Sequence, residues 1–176
     1  DEFCEDLEAR IRSISFVHEL LYQSADLSTI NMRELLQGLT AVVAQAPYPP
    51  RTTVRTDRID VPMERAIPLS LITNELLANA VKYAHAPDDP AEIDISLRRK
   101  DGAIELAVAD SGTGFPEGFV PAQSDGLGMR LVSALAQQLD GSVAVENSGG
   151  ARVTVRVPEA VAEAPGSATA LSEQAR

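Results

Sequence analysis

Two runs of strict alternation flank an Asp101-Gly102 pair. Ile93, Ile95 and Leu97 share one face before it, and Ile104, Leu106 and Val108 share one face after it. Successive strand side chains point to opposite faces, so the pattern specifies two strands buried on one side only. Asp-Gly accepts the backbone of a tight reversal, which predicts a hairpin. Two more alternating strands, around 142–146 and 151–157, are joined by Asn147-Ser148-Gly149-Gly150. A sheet with one apolar face has to be covered. The expected fold class is therefore an α/β (α+β) sandwich, with helices on one face of a mixed, mostly antiparallel sheet.

The helices are legible too. In residues 2–23, Cys4, Leu7, Ile11, Ile14, His18 and Leu21 recur three and four apart, a seam that packs against another helix. Ser28 precedes a second helix at about 31–45, which ends before Pro47, Pro49 and Pro50. A short strand is expected near Thr52–Thr56, and Pro62 suits the first turn of a third helix running to about Ala84. A glycine-rich segment, 110–128, leads into a fourth helix at about 129–139. Beyond Pro158 the chain holds few large apolar residues and is expected to be a disordered tail. The expected division is 1–28, 29–158 and 159–176.

The third helix carries the first chemistry. Leu69, Thr73, Leu76 and Ala80 form its apolar stripe, with Leu77 beside it, while Glu75, Asn79 and Lys82 lie within about 60° of one another on the opposite side. A solvated polar face is the plain reading. Against it, Leu71 and Ile72 flank the line, and asparagine is a poor choice for a merely exposed helical position. A carboxylate, an amide oxygen and an ammonium within one reach suit a divalent cation and a polyphosphate. Magnesium keeps several waters, so the Asn79 oxygen suffices from the protein side, and Lys82 can neutralise phosphate charge.

The glycine-rich segment carries the second. In Asp110-Ser111-Gly112-Thr113-Gly114, the acid at the strand end can accept from an exocyclic amine such as that of adenine. Gly112 and Gly114 permit positive φ and let a planar base lie against bare backbone; a plain glycine turn is the alternative. Gly126 and Gly128 open the next helix, where amide groups and the helix dipole bind an anion without net positive charge. That matters, because the chain's formal charge is −11 and disfavours nucleic acid or an anionic membrane surface. Residues 115–125 have the composition of a lid between the two glycine pairs. Thr154, in the last hairpin, is a further candidate for the base pocket.

In order, NELLANAVKYA, DSGTG, GLG and GGARVTVRVP resemble the N, G1, G2 and terminal G/T boxes of the GHKL ATPase superfamily. The resemblance implies the Bergerat ATP-binding fold, with ATP between helices and a lid on one face of the sheet. It implies that Asn79 binds Mg²⁺, that Lys82 contacts phosphate and that Asp110 binds adenine. Gly112, Gly114, Gly126 and Gly128 would line the nucleotide, with Tyr83 and Leu127 beside it. Glu75 matches the acid that activates water in hydrolytic members, and is the candidate base. Residues 10–39, with Val17-His18-Glu19-Leu20-Leu21-Tyr22, are similar to the stretch before the ATPase domain in HRxxN-type sensor histidine kinases, relatives of the HWE kinases. The chain holds no tryptophan and no HRxxN motif.

The reading that follows is the ATP-binding catalytic domain of a sensor histidine kinase, with residues 1–28 the end of its dimerisation hairpin. It would pass the γ-phosphoryl group of Mg-ATP to a histidine upstream of Asp1, for relay to a response-regulator aspartate. Partners would be the regulator and a second copy of the kinase. His18 is read as a seam residue, and His85 as a surface residue near the site. An anti-sigma-type serine/threonine kinase and a non-catalytic docking module are the rivals; the first would not need the hairpin remnant, and the intact Asn79, Asp110 and glycine pairs argue against the second. Cys4 is the only cysteine and no run of about 20 apolar residues occurs, so a reducing, cytoplasmic location without membrane contact is expected. A chain starting at Asp1 reads as a fragment.

Overall fold

The computed structural model describes residues 29–45, 49–83, 91–124 and 126–159, with Ser15 the one described residue ahead of them. The seam helix of 2–23, His18, His85 and the segment 160–176 lie outside the described residues. In chain order the elements are β1 (Thr29–Asn31), α1 (Met32–Val43), β2 (Arg51–Thr56), β3 (Asp60–Pro62), α2 (Met63–Tyr83), β4 (Glu92–Lys100) and β5 (Ala103–Asp110). A single 3-10 turn (Pro121–Gln123), α3 (Leu127–Gln138), β6 (Ser142–Asn147) and β7 (Ala151–Pro158) complete them.

The hairpin forms as the alternation requires. Asp101 and Gly102 take φ of 49° and 70°, the pair of positive values that a two-residue reversal matched to strand twist demands. β4 and β5 pair antiparallel, β5 pairs antiparallel with β7, and β7 with β6; β2 adds to β4 in parallel. The sheet order is β2-β4-β5-β7-β6. Register places Leu97 opposite Leu106 and Leu106 opposite Val155, and all three are fully buried. This row is the middle of the core. Truncating a leucine at its centre would cost about 2–5 kcal/mol.

The helices cover that face: α2 packs on β4 and β5, with α1 and α3 on either side of it. Sequence and structure part company at several boundaries. The cap of α1 is Asn31, not Ser28: its Oδ1 accepts from the amides of Arg33 and Glu34 at 3.0 and 3.2 Å. Asn31 also ends β1, which pairs with β3 as a two-stranded sheet. Pro62 closes β3 rather than entering the helix. α2 instead carries Pro68 within it, and two buried hydroxyls satisfy backbone carbonyls, Ser70 to Ile67 at 2.7 Å and Thr73 to Leu69 at 2.8 Å. Glu159 donates its amide to Gly102 O and pairs its carboxylate with Arg99.

Candidate functional site

β5 ends at Asp110, and the sheet fixes that carboxylate before any ligand arrives. Its Oδ1 accepts from the amide of Gly112 at 2.8 Å and from the amide of Ala151 at 3.2 Å. The second bond depends on Gly150, whose φ is 156° and where a Cβ would stand 1.9 Å from the Asp110 carbonyl oxygen. Only glycine lets the start of β7 come this close. Oδ2 of Asp110 has no partner among the described residues, and Asp110 lines a cavity of about 300 Å³. That size lies at the small end of ligand pockets.

The cavity's second wall is α2, which contributes Leu76, Asn79, Ala80 and Tyr83. Nδ2 of Asn79 is buried and has no hydrogen-bond partner among the described residues. A buried amide group left unpaired costs about 1–3 kcal/mol, so its persistence here points to a ligand that completes it. Rotating the amide exchanges oxygen for nitrogen, so the same position serves a cation or a phosphate oxygen. The donor set fits magnesium, which takes few protein oxygens and retains waters. Among the described residues no group of three or more acidic, histidine or cysteine side chains could hold a metal by itself. Asn79 is thus the residue that would hold the ion.

The third wall is the loop after β5 and the start of α3. Phe115 and Phe119 stack with centroids 4.6 Å apart and face the cavity together with Pro116. Gly126 is the N-cap of α3 and offers no side chain to accept the first-turn amides, which leaves them available to an anion. Gly126 and Gly128 both line the cavity.

Of the residues singled out in sequence, Asn79, Tyr83, Asp110, Gly114, Gly126 and Gly128 meet around this cavity. The others stand elsewhere. Gly112 serves through its amide on Asp110 and does not take a positive φ, whereas Gly114 does, at 77°. Lys82 is exposed, with Nζ 5.7 Å from the Tyr83 ring centroid. Leu127 is exposed and outside the wall. Thr154 lies on the face of β7 opposite Val153, and it is Val153 and Ala151 that line the cavity. Glu75 is 3% exposed, so the polar line of α2 is buried at that end and exposed at Lys82. The apolar walls, Phe115, Phe119 and Met129 among them, carried no chemical signal in sequence.

A family model described as histidine kinase-, DNA gyrase B-, and HSP90-like ATPase matches residues 64–161, and a second, described as histidine kinase, matches residues 1–46. The sensor histidine kinase PdtaS of Mycobacterium tuberculosis is 32% identical over 157 residues, 85% of this chain and 31% of that protein. The nitrate/nitrite sensor protein NarX of Escherichia coli is 35% identical over 102 residues, covering 56% of this chain and 16% of its own length. The chain thus spans a third or less of these relatives. Among solved structures, the histidine kinase domain of the Erythrobacter litoralis EL346 blue-light activated kinase superposes with a TM-score of 0.72 at 23% identity. That match covers 86% of this chain and 74% of the other, and at this identity it speaks to the fold. The ATP-binding domain of PrrB from Mycobacterium tuberculosis reaches 0.64 at 28% identity, over 75% of this chain and 96% of that one.

Proposed function

The chain belongs to the family of histidine kinase-, DNA gyrase B-, and HSP90-like ATPases, and on that premise we propose that it is the ATP-binding catalytic domain of a two-component sensor histidine kinase. One observation carries the reading: a carboxylate oriented by two backbone amides lines one cavity together with an asparagine whose amide is unsatisfied and with the uncapped start of a helix. An adenine amine meets Asp110 Oδ2, and a guanine carbonyl in its place would be repelled. The phosphates extend toward Gly126 and Gly128, where peptide amides and the helix dipole hold charge that a −11 chain cannot attract from a distance.

Asn79 would hold a magnesium ion, which would supply neutralisation of phosphate charge. The remaining work is positioning. The end of β5 fixes the base and α2 with α3 the phosphates, and a phosphoryl group passing to a histidine needs alignment and charge stabilisation more than covalent help from the protein. Glu75, one turn before Asn79, is the group we assign to activate or orient the attacking nucleophile; Glu75→Gln should lower turnover and leave nucleotide affinity unchanged. The acceptor is a histidine of the kinase, and the phosphoryl group passes on to a response-regulator aspartate. Residues 1–28, within the stretch that matches the histidine kinase model, are assigned the contact with a second copy.

Calorimetric titration with Mg-ATP tests this directly. The parent chain should bind, and Asp110→Ala should lose binding while retaining its thermal transition. A parent chain that shows no nucleotide-dependent stabilisation would return the docking-module reading to first place.

A further inference from the structure

Asn147 opens the sequence Asn147-Ser148-Gly149-Gly150, and a turn gives its first residue no reason to reach away from its own hairpin. Here it does. Asn147 ends β6, and its Oδ1 accepts from the amide of Phe115 at 2.8 Å while its Nδ2 donates to the Phe115 carbonyl at 2.9 Å. One side chain thereby satisfies both backbone groups of a single residue, as a neighbouring strand would. The fit is close: a Cβ on Gly114 would stand 2.6 Å from Asn147 Oδ1.

This pairing has leverage on the cavity. β5 and β6 are not neighbours, since β7 lies between them, so the bond fastens the loop leaving one strand to the end of another two places away. Among the described residues, no other hydrogen bond ties residues 113–119 to the sheet. Phe115, Pro116 and Phe119 line the nucleotide cavity on one side and a second hollow of about 220 Å³ on the other, where Val145 and Asn147 also sit. The wall is thin, with space on both faces.

We propose that Asn147 is the positioning residue of this wall: by clamping Phe115 it holds the stacked Phe115–Phe119 pair against the cavity and raises nucleotide affinity without touching the nucleotide. The inference rests on the ATP reading given above. It adds a residue from the far edge of the sheet to a site otherwise built by α2, β5 and α3.

Amide hydrogen exchange on the nucleotide-free chain and ATP titration on the same samples test it. Asn147→Ala should speed exchange of the Phe115 amide at least about tenfold and leave the β4–β5 amides protected. ATP affinity should fall about tenfold. Asn147→Asp still accepts from the Phe115 amide but sets a repelling oxygen against the Phe115 carbonyl, so it should loosen the clamp as well. Asn147→Gln keeps both groups on a longer arm and should give intermediate effects, which general destabilisation would not produce. If Asn147→Ala unfolds, seen as lost β4–β5 protection, Asn147→Asp carries the same two measurements. Unchanged Phe115 exchange overturns the clamp. Raised exchange with parental ATP affinity overturns its role at the cavity. A parent chain that binds no ATP overturns the nucleotide reading and the affinity claim with it, while the exchange result still decides the clamp.

Discussion

The two ends of the cavity are finished to different degrees. At the β5–β7 end, Asp110 Oδ1 already accepts two backbone amides, and Gly150 is packed against the Asp110 carbonyl with no room for a side chain. At the α2–α3 end, Asn79 Nδ2 is buried without a partner and the first turn of α3 begins at a glycine that cannot cap it. At one end the carboxylate is already oriented by the protein; at the other an amide is still unpaired. On the proposed reading, the group that meets the base is held by the sheet, and the phosphate end is built from groups whose cost is recovered only when charge arrives.

Substitutions at the two ends should therefore fail differently. The largest effect is expected at Gly150→Ala, where a methyl would meet the Asp110 carbonyl in a backbone conformation that favours glycine. Loss of stability on the order of 2–4 kcal/mol, read as a lower urea midpoint, should accompany loss of nucleotide binding. Asp110→Asn keeps an oxygen for the two amides but can turn only a nitrogen toward the base amine. Its ATP affinity should fall by about 100-fold by calorimetry with the urea midpoint little changed.

The opposite signature is expected at the other end. Asn79→Ala removes an unsatisfied amide from a helix interior, so the nucleotide-free chain should be as stable as the parent or more stable by about 0.5–1 kcal/mol. The gain in affinity that magnesium gives ATP should disappear in the same variant. A destabilised Asn79→Ala chain would break the contrast, because it would mean that the amide is already satisfied. Lys82→Ala is the mildest: an exposed ammonium should contribute about two- to fourfold to ATP affinity, shrinking with added salt.

Much of this was legible in sequence because it depends on periods. Alternation at 93–97 and 104–108 fixes which face of the sheet is buried, and Asp101-Gly102 fixes the reversal. What escaped depends on neighbours that a period does not name. β1 and β3 have three residues each, too few to alternate. Glu75 sits opposite the apolar stripe of α2 yet is buried, since a helical wheel gives direction and α2 has helices on both flanks. Thr154 is the exception, since strand parity, readable from Val153 and Val155, already sends it to the far face. Asn147 was legible only as a turn residue; its bond to Phe115 spans 32 positions of chain.

The central claim is that Asp110 and Asn79 grip opposite ends of one magnesium-bound adenine nucleotide. A crystal structure of the chain with a non-hydrolysable ATP analogue and magnesium tests it most directly. The expected result is the adenine amine about 3 Å from Asp110 Oδ2, with the phosphates beside Gly126 and Gly128 and the ion on Asn79. A cavity without nucleotide at saturating ligand, or a base bound with its amine away from Asp110, would contradict it.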